Sequence, residues 1–78
     1  MASFTATQGQ YLAFIYYYTK LNRRPPAHAD IQRYFGVSPP SVHQMLLTLE
    51  RKGLIARTAG AARSIELLVA RDELPPLD

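Results

Sequence analysis

Apolar residues recur at helical spacing in three stretches of the chain and at strand spacing in a fourth. In the first, Tyr11, Leu12, Phe14, Ile15 and Tyr18 fall on one broad helix face. Thr5 can cap this helix, with Gln8 three residues on closing a capping box. Gly9 weakens the first turn slightly. Arg23-Arg24-Pro25-Pro26 ends the helix near Asn22, because the residue before each proline avoids the α region. A second, short helix is expected from His28 to Phe35 with Ile31, Tyr34 and Phe35 inward. Ala27 is a poor cap for it, and Asp30 in its first turn partly compensates through the helix dipole. The third helix has the clearest start: Ser38 as cap, Pro39 at the first helical position, and Val37 able to staple to Val42. It runs to about Lys52, with Val42, Met45, Leu46 and Leu49 on its inward stripe.

Gly36 supplies the positive φ that separates the second helix from the third, and Gly53 closes the third behind Arg51 and Lys52, two cations suited to a helix C-terminus. Two strands are expected next, about Leu54 to Thr58 and Arg63 to Leu68, joined by Ala59-Gly60-Ala61-Ala62. In the second of them Ile65 and Leu67 alternate with Ser64, Glu66 and Leu68. Helix, helix, tight turn, helix and basic hairpin in that order make a mostly α fold with a small β-hairpin, a three-helix winged helix-turn-helix. This domain takes in residues 1–69. Residues 70–78, aperiodic and containing two prolines, are expected as a flexible acidic tail or the start of a linker.

Seventy-eight residues allow one small domain, of a size that buries only about 60% of its unfolded-chain surface. With no cysteine, neither a disulfide nor a thiolate metal site can reinforce the core. The longest apolar run, Tyr11 to Tyr18, is too short and too rich in tyrosine to span a bilayer. The N-terminus lacks the order of a signal peptide, so a soluble intracellular, cytoplasmic protein is the simplest expectation. Charge is unevenly placed. Residues 1–71 hold all nine lysines and arginines against Asp30, Glu50 and Glu66, while Asp72, Glu73 and Asp78 lie in the last seven residues. A basic body of this kind points to a polyanionic partner.

The residues that carry a family resemblance run from Phe4 to Leu68: Thr5-Ala6 with Gln8, Pro25-Pro26, Ile31, Gly36, Ser38-Pro39, Leu46 with Leu49, Arg51-Lys52-Gly53 with Ile55, Gly60-Ala61 with Arg63, and Ile65 with Leu67-Leu68. In this order and spacing the chain resembles the N-terminal DNA-binding domain of LexA repressors. Leu74-Pro75-Pro76-Leu77 also resembles the start of that family's linker. The resemblance implies a winged helix-turn-helix that binds double-stranded DNA as a repressor-like transcription regulator. Family members continue into a self-cleaving peptidase domain with a serine-lysine dyad that also supplies dimer contacts. These 78 residues stop short of it, so they are either a stand-alone module or a fragment of a longer repressor. The turn before Ser38 is one residue shorter than the family pattern, and Pro40, Ser41, His43 and Gln44 differ from the family's readers. A target other than the usual SOS operator is expected.

In this architecture the first turns of the third helix meet base edges in the major groove. The expected readers are Ser38, Pro40, Ser41, His43, Gln44 and Thr48, with Leu47 beside them. Gln44 discriminates best, since its amide can pair with adenine through two hydrogen bonds. Pro39 and Pro40 carry no amide hydrogen, which makes this helix start a poor phosphate clamp. Contacts to the DNA backbone are expected from His28, Arg33, Arg51, Lys52, Arg57 and Arg63, the last reaching along the wing toward the minor groove. A homodimer on a two-fold site would supply the specificity one module lacks. Tyr16 and Tyr17 have two readings: edge packing over Pro25 and Pro26, or a self-association patch. His28 and His43 lack companions at metal-ligand spacing, and no nucleophile-base set or phosphate loop is present, so no metal, cofactor, small-molecule substrate or enzymatic activity is expected. The alternative function is a winged-helix protein-protein adaptor that does not bind DNA.

Overall fold

The capping box written at Thr5 forms in the computed structural model, which describes residues 3–78: Gln8 N donates to Thr5 Oγ1 at 3.1 Å and Thr5 N donates to Gln8 Oε1 at 3.0 Å. The expected domain start at residue 1 lies outside the described residues. Helix α1 (Ala6–Asn22) leads, through the extended Pro25-Pro26 link, to α2 (His28–Phe35) and then α3 (Pro39–Arg51). Strands β1 (Ile55–Ala56) and β2 (Glu66–Leu67) pair antiparallel, Ile55 opposite Leu67 and Ala56 opposite Glu66. A 3₁₀ turn at Arg71–Glu73 follows. The fold is a winged helix-turn-helix, mostly α with a small hairpin.

The turns are made as their residues dictate. Gly36 closes α2 in the left-handed region (φ 65°) while Gly36 N donates to Gln32 O at 2.8 Å. Ser38 caps α3 by accepting from Ser41 N. At the far end, Gly53 N donates to Glu50 O at 3.0 Å and Leu54 N to Leu49 O at 2.9 Å, the paired bonds of a Schellman ending around a glycine at φ 75°. Ala27 has no side-chain acceptor for its helix, so only half a capping box exists there: Ala27 N donates to Asp30 Oδ2 at 2.8 Å.

One core gathers Leu12 and Ile15 from α1, Ile31 from α2, Val42, Leu46 and Leu49 from α3, and Leu54, Ile55 and Ile65 from the hairpin, all buried. Full burial of each large aliphatic is worth about 1.5–3 kcal/mol, which is how so short a chain outweighs its conformational entropy. Met45, expected on the inward stripe, packs against this core only in part. Tyr34 departs further, standing 46% exposed rather than inward. Its ring stacks on Phe14 at 4.6 Å, and its hydroxyl donates to Asp78 O at 2.6 Å, so it roofs the core instead of entering it.

Two further differences concern the hairpin and residues 70–78. Each strand is two residues long rather than five or six. Beyond Ala56 the ladder gives way to a side chain: Thr58 N donates to Ser64 Oγ at 3.0 Å, and Ser64 Oγ donates to Thr58 O at 3.2 Å. Left-handed residues at Gly60 (φ 76°) and Arg63 (φ 53°) curl the intervening loop out of register. Within residues 70–78, Leu74 and Leu77 pack against the core. The Gln10 amide meets this segment with both ends, Nε2 donating to Pro76 O and Oε1 accepting from Asp78 N, each at 2.9 Å. Among the described residues no helix is long and apolar enough to cross a membrane.

Candidate nucleic-acid interface

The inward burial of Val42, Leu46 and Leu49 fixes the rotation of α3 and leaves Pro40, Ser41, His43 and Gln44 exposed on its opposite side. Leu47 and Thr48 are half-buried at the edges of that face. The Thr48 hydroxyl donates to Gln44 O at 3.0 Å, so it is already committed to its own helix. Ser38 and Ser41 share a hydrogen bond between hydroxyls at 3.0 Å. Gln44, by contrast, has its amide free toward solvent.

Two flanks border this face. On one side Gln8, from the start of α1, lines a shallow groove together with Pro40, Ser41, Gln44, Met45 and Thr48. Lys52 Nζ donates to Gln8 Oε1 at 2.9 Å, which holds the lysine at the edge of that groove. In the sequence Gln8 is legible only as a helix-capping residue. Its second role depends on α3 docking beside α1, and no local pattern reveals that.

The other flank joins three elements. Arg57, leaving β1, donates to Glu50 Oε1 from Nη2 at 3.0 Å and from Nε at 3.3 Å. Its Nη1 lies 3.5 Å from His28 Nε2 at the start of α2. Desolvation, and after it the charges of Arg57 and His43, hold the His28 imidazole below the ordinary histidine range. His28 therefore feels both Arg57 and His43 across the α2, α3 and wing junction. Arg33 and Arg51 are exposed, Arg33 with a loose ion pair to Asp30 at 3.7 Å.

Arg63 is placed otherwise than expected. It does not follow the wing outward; its Nη1 points back and donates to Tyr18 Oη at 3.1 Å, Pro25 O at 3.2 Å and Asp30 Oδ2 at 3.1 Å. A left-handed backbone at Arg63 aims the side chain at the link between α1 and α2, where a carboxylate, a phenol and a carbonyl converge on one guanidinium. The Ala27 N–H above all, then the Tyr18 hydroxyl and the Arg63 and Arg33 charges, keep the Asp30 carboxyl below its ordinary value against the opposing effect of desolvation. The wing tip itself, Ala59-Gly60-Ala61-Ala62, is exposed and uncharged. Two cations lie over the Tyr16 ring, Lys20 Nζ 5.9 Å and Arg71 Cζ 6.0 Å from its centroid, while Tyr17 stands edge-on to it, 41% exposed. Tyr16 and Pro25 line one groove between α1 and the hairpin, which the wing residues Ser64 and Ile65 also enter.

The arrangement has clear relatives. A family model described as the LexA DNA binding domain matches residues 1–64. The LexA repressor of Thermosipho melanesiensis is 32% identical over 74 residues, a match covering 95% of this chain and 37% of the relative. That of Cupriavidus taiwanensis is 40% identical over 78 residues, covering 96% of this chain and 36% of the relative. The LexA repressor of Actinobacillus succinogenes is 38% identical over 72 residues, covering 88% and 34% respectively. The chain thus spans about a third of the length of these relatives. The family model spans the three helices and the first wing strand, and the chain belongs to the LexA DNA-binding domain family.

Proposed function

We propose that this domain binds duplex DNA sequence-specifically as part of a repressor-like transcription regulator, with α3 in the major groove and cations on either side gripping the backbone. The observation that carries this reading is the exposed Pro40, Ser41, His43 and Gln44 face lying between two polar flanks, Gln8 with Lys52 and His28 with Arg57. A helix of this width fits the major groove, and such flanks meet phosphates on either side of it. Gln44 reads an adenine; Ser41 and His43 contribute less selective contacts. Ser38 and Thr48, already bonded within the helix, act through shape. Arg33, Arg51, Lys52 and Arg57 supply the permanent charges, and His28 adds a hydrogen bond.

One copy makes too few contacts for high specificity, so two copies occupy a two-fold site. The domain itself acts by binding, and works in the cytoplasm at the nucleoid. Selecting bound duplexes from a random pool tests the reading: a two-fold motif is expected, together with a binding constant that falls with salt at a logarithmic slope of about −4 per copy for four neutralised phosphates. Affinity indifferent to salt, or no enriched motif, refutes it and favours an apolar protein-protein surface instead.

A further inference from the structure

Arg63, Asp30 and Tyr18 form a cluster that a groove-binding face of α3 does not call for, and it sits where the wing meets the helices. Asp30 does two jobs there. One carboxylate oxygen, Oδ2, accepts both from Ala27 N at 2.8 Å, fixing the start of α2, and from Arg63 Nη1 at 3.1 Å, fixing the return leg of the wing. Arg63 also reaches Tyr18 Oη on α1 and Pro25 O in the link, so one guanidinium ties three segments together. The Asp30 side chain is 13% exposed and that of Arg63 31%, so water competes weakly for these bonds. The regular ladder that could otherwise fix the wing is only two residues long on each strand.

We propose that Asp30, with Tyr18, is a positioning residue for DNA binding: it holds Arg63 and so the wing against α2, setting the spacing between His28 and Arg57. The inference rests on the DNA-binding reading above. Arg57 leaves β1 on the outgoing leg of the same loop, and its Nη1 stands 3.5 Å from His28 Nε2 at the α2 start that Asp30 caps. A wing released from Asp30 leaves Arg57 held only through Glu50 on α3, so its guanidinium shifts relative to His28 and the two groups no longer meet neighbouring phosphates together.

Charge alone predicts the opposite sign. Asp30→Asn removes a negative charge from a surface that faces a polyanion, and by simple electrostatics it tightens binding. Asn still accepts from Ala27 N through its amide oxygen but cannot hold a guanidinium as an ion pair. The experiment measures duplex affinity against salt for the wild-type chain, Asp30→Asn and Tyr18→Phe, using a duplex enriched by the wild type, with thermal melts of each protein. Both variants are expected to bind about three- to tenfold more weakly, with a salt slope smaller by about 1 as the Arg57 contact is lost. A merely structural loss would lower the melting temperature without changing the slope of the folded protein. Asp30→Asn protein that binds as tightly as wild type or tighter, at an unchanged or steeper slope, overturns the proposal, since that is what a freed Arg63 reaching phosphate itself would produce. Should Asp30→Asn melt below the assay temperature, Tyr18→Phe decides alone, because it removes one hydroxyl and no charge. A wild type that binds no duplex overturns the DNA reading as well, whereas a wild type with a steep salt slope beside unaffected variants counts against the positioning role only.

Discussion

Replacing Gly9 with alanine should fail to stabilise this protein, although Gly9 is an interior position of α1 where alanine is the better helix former by about 1 kcal/mol. A Cβ at this position would lie 3.0 Å from Pro75 Cγ and 3.0 Å from Phe4 Cε1, closer than ordinary carbon contacts. The two rings occupy the space a side chain would take. Overpacking of this kind costs about 1–3 kcal/mol, so the propensity gain is cancelled or exceeded and the net change is a loss of about 0–2 kcal/mol. Pro75→Ala removes one of the two obstacles. In that background Gly9→Ala should be better tolerated by about 1 kcal/mol, the coupling expected of residues in contact. Urea unfolding of the four proteins, followed by helical circular dichroism, measures this cycle. If Gly9→Ala adds about 1 kcal/mol of stability in both backgrounds alike, Pro75 is not seated on α1 and the packing described for residues 74–78 is wrong.

Leu49, fully buried in α3, should cost about 2–5 kcal/mol when cut to alanine, and an undiminished midpoint in urea would contradict the orientation of that helix. Gln44→Ala should relax preference at one base position by about 1–3 kcal/mol, whereas Arg51→Ala should weaken all duplexes equally and reduce the salt slope by about 1; exchanged outcomes would reverse their roles. Acid should destabilise the fold in two stages. His28 has a native pKa below its ordinary 6.5, so its contribution is complete above 6.5 and lost as pH falls through the lowered value. Asp30, also lowered, contributes above 3.8 and loses that contribution as pH falls through its native value. His28→Gln should remove the first decline and Asp30→Asn the second in a plot of Tm against pH. A Tm that rises from pH 7 to pH 5 would contradict the sign for His28.

The helices were legible because their ends are written locally. Thr5 with Gln8, Gly36 before Ser38-Pro39, and Gly53 after Arg51-Lys52 each specify a boundary from within a few residues. The inward stripe of α3 followed from periodicity alone, apart from Met45 at its edge. What stayed hidden was set by partners far away in sequence. Arg63 read as a wing cation because its three acceptors lie 33 to 45 positions earlier. Tyr34 read as core because helical spacing cannot show that Asp78 O waits 44 positions on. Alternation over Arg63 to Leu68 suggested a long strand, but alternation records burial, and the Ser64 hydroxyl replaces the outer ladder bonds without disturbing it. Residues 70–78 gave no periodic signal, since prolines and leucines seated one by one against a folded core have no period.

Every hydrogen bond that Gln10 and Tyr34 make to the C-terminal segment ends on a main-chain atom of Pro76 or Asp78. Substitution of the Asp78 side chain would therefore leave those bonds intact, and mutational drift there would look like that of an unconstrained spacer. The lasting trace of the clasp would instead be an amide at position 10, a phenol at position 34 and a missing methyl at position 9.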